Sequence, residues 1–302
     1  MKYSAIKPFF RLLLFFLFWA NFNSSPTHAQ SILAPADSFH KQRFQAVAIG
    51  GGAAYSGVMF GLYHLWYKDY PMGGFRFVND NRDWLQMDKF GHAFSAYQYG
   101  VYVSEVLRWS GVDEEKVFWY GGLSGFVLLL PIEILDGFSK EWGFSWGDFA
   151  ANAFGSAFYI TQEKLWKTQK VKFKFSFSPS PYADKRPNVL GSGLVQQLVK
   201  DYNGQIYWFS FNPSPQHLPD WLNVSLGYSG NGMLGGAANP EGYRDIERYR
   251  QFLFSLDVDL TKVKTNKRWV RTLLDAVNIL KIPAPALEYN ERGIWKVHPV
   301  YY

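Results

Sequence analysis

The 302-residue chain contains no cysteine, and only 19% of its residues carry a formal charge. The lack of cysteine excludes disulfides, thiolate metal sites, a cysteine nucleophile and a lipid-bearing N-terminal cysteine. Common catalytic signatures are missing as well. The chain has no phosphate-binding loop ending in Gly-Lys-Ser/Thr and no His-Glu-x-x-His. It also has no internal repeat and no low-complexity segment.

Aromatic residues, by contrast, make up 19% of the chain, with 12 Trp, 19 Tyr and 27 Phe. This composition excludes a disordered chain, a collagen-like repeat and a coiled-coil rod. The length is sufficient for a large hydrophobic core. We therefore expect a folded protein whose aromatic excess serves broad internal packing or contact with lipid.

The first 29 residues have the pattern of a secretory signal peptide. Lys2, Lys7 and Arg11 precede the apolar run 12–20, and a polar stretch follows up to Ala29. An uncleaved signal anchor is the alternative. Without this segment the formal net charge falls from +6 to about +3, which is too small to indicate a nucleic-acid partner. We expect an exported protein of a Gram-negative-type envelope, either periplasmic or associated with the outer membrane.

Four apolar segments follow and predict helices at 44–67, 90–107, 117–135 and 149–166. The first spans roughly 36 Å as a helix, enough to cross a bilayer. Its small residues recur four apart, for example Gly57 and Gly61, which lets another helix approach closely. A membrane span and a buried helix of a soluble bundle both fit this pattern. Pro131 is expected to kink or interrupt the third helix.

Beyond Lys170 apolar residues alternate with polar ones, a pattern typical of half-buried strands. It predicts strands at 171–177, 206–211, 222–228, 252–260 and 294–301, and short helices at 194–202 and 267–280. The predicted fold class is a mostly α N-terminal four-helix unit, followed by a mixed α/β C-terminal region. The predicted divisions are a signal peptide at 1–29, a linker at 30–43, a helical domain at 44–170 and a mixed strand and helix region at 171–302.

Polar residues recur at helical spacing inside the predicted helical unit, where burial costs free energy unless they find partners. Three interpretations stay open: a buried hydrogen-bond network, a site for a divalent metal such as Mg, Mn or Zn, and general acid/base catalysis. The catalytic candidates are His92, Asp88 and Lys89. The binding candidates are Glu133, Asp136, Asp148 and Asn152.

The motifs that carry these residues resemble a known family. Asp88-Lys89-Phe90-Gly91-His92, Asp136-Gly137-Phe138-Ser139 and Asp148 to Gly155 are similar to motifs of the YfiM-type periplasmic lipoproteins, and more distantly of the VanZ-like membrane proteins. The resemblance covers roughly residues 82–165. It implies a cell-envelope location and no established activity. The chain departs from the lipoprotein pattern because it has no cysteine after its signal, which argues against a lipid anchor.

Two function classes follow from these observations. The first is a membrane-associated cell-envelope protein whose polar cluster has a binding or structural role, with membrane lipid or an envelope glycolipid as partner. The alternative is a hydrolase or transferase that acts on a lipid-linked or phosphorylated envelope substrate. The basic stretch 262–271 is either a solvated face or a contact with anionic lipid.

Overall fold

The computed structural model describes residues 33–301, so the predicted signal peptide lies outside the described residues. The helices are α1 (Lys41–Leu62), α2 (Met87–Trp109), α3 (Gly122–Phe138), α4 (Trp146–Trp166), α5 (Pro187–Leu190), α6 (Leu194–Lys200) and α7 (Arg268–Val277). The strands are β1 (Phe77–Val78), β2 (Phe144–Ser145), β3 (Val171–Phe177), β4 (Gln205–Phe211), β5 (Leu222–Asn231), β6 (Tyr249–Val258), β7 (Ala284–Asn290) and β8 (Trp295–Tyr301).

Helices α2, α3 and α4 pack tightly against one another because glycines lie where they cross. A Cβ atom on Gly125 of α3 would lie 2.1 Å from the carbonyl oxygen of Ala96 on α2. A Cβ atom on Gly155 of α4 would lie 2.1 Å from the carbonyl oxygen of Ala93. No side chain fits at these crossings, so the backbones approach closely and side chains on facing helix surfaces can meet.

Helix α1 lies outside this group, and the prediction of a four-helix unit is wrong. None of its residues is buried, and no other atom lies within 4 Å of a Cβ built on any of its five glycines. Its contacts with the other helices include a hydrogen bond from the Tyr55 hydroxyl to the carbonyl oxygen of Leu128 on α3. The small-residue spacing in α1 therefore does not mark a helix crossing among the described residues.

A short parallel pairing fixes the entry to α4. Phe77 pairs with Phe144 and Val78 pairs with Ser145, which brings the loop before α2 next to the first turn of α4. Ser145 caps α4 because its hydroxyl accepts a hydrogen bond from the backbone N–H of Asp148. The start of α4 is thereby held beside the start of α2.

The C-terminal region is a six-stranded antiparallel meander in the order β3 to β8, and the prediction of a mixed α/β region is wrong. Short helices occupy the connections between strands. The β3–β4 end of the sheet shares a core with the helices, in which Tyr97 of α2 and Tyr159 of α4 meet Phe173 and Tyr207. Local alternation revealed five of these six strands, but β7 was missed.

The sheet has an inverted polarity over strands β5 to β7. Side chains that face inward are largely polar, and Lys174 of β3 forms a fully buried ion pair of 2.7 Å with Asp257 of β6. Side chains on the outer face are apolar and exposed. The buried polar residues are Asn223, Ser225, Ser229, Gln251, Ser255, Asp257, Glu288 and Asn290, and the exposed apolar residues are Leu226, Phe252, Phe254, Leu256, Leu287 and Tyr289.

Helix α3 is not interrupted at Pro131 and continues to Phe138. Among residues 33–301, two helical stretches, Lys41–Tyr67 and Glu114–Phe138, are long and apolar enough to cross a membrane. In the second stretch a third of the most apolar window is buried inside the protein, whereas in the first none is. Core packing therefore accounts for part of the apolar character of the second stretch only.

Candidate functional site

Six of the seven predicted site residues lie together, at the start of α2, in the middle of α3 and at the start of α4. We call Asp88, Lys89, His92, Glu133, Asp148 and Asn152, with Asp80, the polar cluster. The close crossings of α2, α3 and α4 and the β1–β2 pairing bring these side chains within contact of one another. Their functional roles stay predictions.

Lys89 holds three carboxylates of the polar cluster. Its Nζ lies 2.7 Å from Asp80, 2.9 Å from Asp148 and 3.2 Å from Asp88. Burial alone would lower the pKa of Lys89, but the carboxylates outweigh burial and raise it. The ammonium group is therefore charged and fully engaged, which leaves it little capacity to stabilise developing charge on a substrate.

His92 is oriented from two sides. Its Nδ1 lies 3.1 Å from Oε1 of Glu133 and 3.1 Å from Oδ1 of Asn152, and Asn152 also donates to Glu133 at 2.8 Å. Its Nε2 points toward Asp88 at 3.8 Å. The His92 and Asp88 side chains keep 17% and 23% of their surface exposed, so both are only partly buried. One ring nitrogen is fixed by protein groups and the other faces a partly buried carboxylate.

Glu133 lies at the buried base of the polar cluster with 1% of its surface exposed. Its Oε2 has no hydrogen-bond partner among the described residues. A buried carboxylate oxygen without a donor costs about 1–3 kcal/mol or more. This part of the cluster is thus not a closed and fully satisfied network.

Asp136, the seventh predicted residue, has a separate partner. Its Oδ1 accepts a hydrogen bond of 2.7 Å from the Tyr67 hydroxyl, at the end of the helical stretch that continues α1. Burial raises the pKa of Asp136 to about 7, although the Tyr67 hydrogen bond acts in the opposite direction. Asp136 is one turn from Glu133 and interacts with the cluster through charge.

The neighbouring carboxylates Asp88 and Asp148 have pKa values shifted in opposite directions. Burial and the charge of Asp88 raise the pKa of Asp148. Burial also disfavours the charged form of Asp88, but His92, Lys89 and the Tyr202 hydroxyl outweigh it and lower the pKa of Asp88. Two adjacent carboxylates with separated pKa values are common at sites that bind ligands or move protons.

Three residues of the cluster could hold a metal ion. One ligand atom each from Asp88, His92 and Asp148 lies within 4.8 Å of the others. The Lys89 ammonium already contacts both carboxylates, so a divalent cation would have to displace it or lie beside it. The donor set therefore suits a metal less well than the spacing of the residues suggested.

Two residues of the site carry no signal in the sequence. Asp80 accepts hydrogen bonds from Ser145 and Lys89, but it lies in a loop without helical periodicity. Tyr202 donates a hydrogen bond of 2.7 Å to Oδ1 of Asp88 from 114 residues away. Only the packing of the sheet against α2 brings Tyr202 to the site.

A patch of exposed aromatic residues lies directly beside the polar cluster. The rings of Phe77 and Trp146 are stacked at 5.7 Å, and Phe75 lies 5.3 Å from Phe77 and 5.1 Å from Phe138. Phe77 and Trp146 are 60% and 59% exposed. We call Phe75, Phe77, Phe138 and Trp146 the aromatic patch. The aromatic patch adjoins the polar cluster because Trp146 follows Ser145, whose hydroxyl donates to Asp80.

Comparison with protein families covers this part of the molecule. Residues 76–164 match the family described as Predicted periplasmic lipoprotein (DUF2279). The match confirms the resemblance to a periplasmic lipoprotein family and agrees with the expected export to the periplasm or outer membrane. No finding supports the more distant VanZ-like resemblance. The DUF2279 match spans α2, α3 and α4 with the polar cluster, whereas α1, Tyr202 and the six-stranded sheet lie outside it.

Neither a curated protein nor a solved structure shows significant similarity to this chain. The DUF2279 description states a location and no activity. The polar cluster and the aromatic patch are therefore the basis for any statement about function.

Proposed function

We propose that this chain is a membrane-associated cell-envelope protein whose polar cluster binds the polar part of an envelope lipid or glycolipid. The observation that carries the proposal is that the exposed aromatic patch adjoins the polar cluster, since Trp146 follows Ser145 and Ser145 contacts Asp80. A molecule with an apolar body and a polar head presents the same two chemistries side by side. Aromatic side chains are also the residues enriched where proteins meet the membrane–water interface.

Other apolar surfaces support contact with lipid. Helix α1 exposes Ile49 and Phe60, and the outer face of β6 exposes Phe252 and Phe254. Contiguous exposed apolar surface of this kind marks sites of interaction with membranes or proteins. Over β5 to β7 the buried face of the sheet is largely polar and the exposed face is apolar. A sheet with one face in water normally has the opposite arrangement.

Helix α7, which begins inside the basic stretch 262–271, supports contact of that stretch with anionic lipid. None of its ten residues is buried, and Trp269 and Leu273 are exposed beside Arg268. A basic helix with exposed apolar residues suits the surface of an anionic bilayer.

The cluster favours a ligand that donates hydrogen bonds or carries positive charge. Five carboxyl groups, of which Asp136 and Asp148 have raised pKa values, share two basic side chains, and Glu133 retains an oxygen without a donor. Ammonium and hydroxyl groups of a headgroup offer the missing donors.

Flotation with vesicles of phosphatidylethanolamine and phosphatidylglycerol tests the membrane part of the proposal. We expect the wild-type protein to float with the vesicles. A Phe77→Ser/Trp146→Ser double variant should bind the vesicles about 10-fold more weakly, because each substitution removes apolar surface that the bilayer would otherwise bury. The matched control is Leu194→Ser/Val195→Ser, an exposed apolar pair on α6 outside the patch. Absence of wild-type flotation, or equal weakening in both double variants, would contradict the proposal.

Ligand retention tests the role of the cluster. Mass spectrometry of the detergent-extracted protein should detect bound phosphatidylethanolamine in the wild type and less of it in Asp88→Asn. Glu105→Gln is the control, since Glu105 lies on the same helix, is 67% exposed and pairs with Arg108 outside the cluster. Equal retention in wild type and Asp88→Asn would remove the cluster from the proposal.

The second candidate function is a hydrolase or transferase that acts on a lipid-linked or phosphorylated envelope substrate. The Glu133–His92 contact favours it, because a carboxylate that fixes one imidazole nitrogen prepares the other for proton transfer. His92 would be the acid/base and Asp88 would orient the substrate. If this is correct, chromatography after incubation with the same vesicles will show a new lipid product with the wild type and none with His92→Gln. No product with the wild type rules this candidate out.

A further inference from the structure

A cavity lies away from the polar cluster, between the loop before α2 and the loop that joins β5 to β6. Its volume is about 560 Å³, within the size range of sites for small organic ligands. It is lined by Arg82, Leu85, Ala237, Ala238, Asn239, Arg244, Ile246, Glu247 and Arg248.

Three arginines meet at this cavity with little compensating charge. Glu247 is the one acidic residue of the lining, and its carboxylate is directed to Arg292 at 3.6 Å. Among residues 33–301, no carboxylate lies within 4.0 Å of a nitrogen of Arg82, Arg244 or Arg248 in an ion pair. Like charges that converge repel one another unless an anion lies between them.

Arg248 is the most constrained of the three. Its Nη2 donates to the carbonyl oxygen of Gly236, whereas its Nε and Nη1 are buried with no hydrogen-bond acceptor among the described residues. Burial lowers the pKa of Arg248, while the charge of nearby Asp83 acts in the opposite direction. Arg248 therefore contributes its charge to the cavity lining, and Arg82 and Arg244 are the exposed arginines of that lining.

The wall of the cavity is held in place by the protein itself. The Asn239 side chain accepts from the backbone N–H of Leu234 and donates to the carbonyl oxygens of Gly232 and Ile246. The backbone N–H of Trp84 donates to the carbonyl oxygen of Gly236. A loop fixed in this way loses little conformational entropy when a ligand binds.

We propose that this cavity binds a phosphate group carried by a small molecule or a lipid headgroup. Guanidinium groups match the oxygens of phosphate in charge and geometry, and two of them are free to form bidentate hydrogen bonds. The apolar lining by Leu85, Ala237 and Ile246 accommodates an organic body attached to the phosphate. The proposal uses neither the polar cluster nor the aromatic patch, so it stands independently of the proposed function.

Titration calorimetry with inorganic phosphate, and flotation with vesicles of phosphatidylglycerol or of phosphatidylcholine, test this proposal. We expect Arg82→Gln/Arg244→Gln to weaken phosphate binding at least about 10-fold, because it removes two charge-assisted hydrogen bonds. Both residues are exposed, so the fold should persist. Glu247→Gln should tighten binding, because it removes the opposing charge. Lys116→Gln/Lys164→Gln removes the same charge at exposed positions outside the cavity and should leave binding unchanged.

The two measurements distinguish the sources of the phosphate. Binding of inorganic phosphate that is lost in the arginine double variant supports the cavity as a site for soluble phosphates. Stronger flotation with phosphatidylglycerol than with phosphatidylcholine vesicles, with the difference lost in the arginine double variant and kept in the lysine control, supports a headgroup phosphate. The proposal is overturned if the wild type shows neither phosphate binding nor this preference, or if the arginine double variant gives the same results as the wild type.

Discussion

Nδ1 of His92 on α2 lies 3.1 Å from Oε1 of Glu133 on α3, and the two residues are joined again through Asn152 on α4. Burial acts to lower the pKa of His92. The hydrogen bond to Glu133 and the charges of Asp148 and Asp88 outweigh burial and raise it well above its ordinary value. These contacts therefore favour the charged imidazolium more than in a free histidine.

Glu133→Gln should lower the pKa of His92 by at least about 1 unit, since it removes the charge of the group that hydrogen-bonds Nδ1. NMR titration of the His92 ring protons measures this change. His298, which pairs with Glu288 at 2.7 Å in the sheet, is an internal control because it lies away from Glu133. An unchanged pKa of His92 would show that Glu133 does not set its protonation.

Lys89→Met should destabilise the protein by about 3–5 kcal/mol, because it leaves Asp80, Asp88 and Asp148 without their shared cation. The free energy of unfolding in urea measures the loss. Lys164→Met at an exposed position of α4 should change this free energy by no more than about 0.5 kcal/mol. Equal effects of the two substitutions would be inconsistent with a buried ion cluster at Lys89.

Asp136 should make stability depend on pH. Its pKa is about 7 in the folded protein against 3.8 for the free group, so the folded state binds more protons between these values. Its contribution is therefore most favourable below about pH 4 and is lost as the pH rises through 7. From pH 5 to pH 8 the free energy of unfolding should therefore fall by about 2 kcal/mol less in Asp136→Asn than in the wild type, after allowance for the partial exposure of Asp136. Urea unfolding at several pH values measures this difference, with exposed Asp245→Asn as control. If stability depended on pH in the same way in the wild type and in Asp136→Asn, Asp136 would not have a raised pKa in the folded protein.

Glycine substitutions should separate the packed helices from α1. Gly155→Ala places a methyl group 2.1 Å from the carbonyl oxygen of Ala93 and should cost about 3 kcal/mol or more. Gly57→Ala on α1 meets no atom within 4 Å and should stabilise the protein by up to about 1 kcal/mol through helix propensity. Thermal unfolding of the two variants gives the comparison. A large loss for Gly57→Ala would place α1 against a partner.

Much of the local structure could be predicted from the sequence. The apolar segments that contain Phe44, Phe90, Val117 and Phe149 are helical, and the alternation from Val171 to Phe177 is a strand, because these patterns depend on neighbours along the chain. The spacing of Asp88 and His92 placed both on one face of α2 for the same reason. Strand β7 was missed because Pro283 and Pro285 interrupt its pattern, although pairing with β6 and β8 is enough to hold it.

The partners of these residues depended on contacts between distant parts of the chain. The sequence determined which segments are helical, which residues carry charge and which helix face holds them. Only the tertiary structure decided that glycines in α3 and α4, and none in α1, make the close crossings. It also decided that Asp80 completes the polar cluster and that Tyr202 contacts it. Helical periodicity is a local property that one segment expresses alone. Burial and ion pairing, in contrast, depend on which surfaces meet after folding.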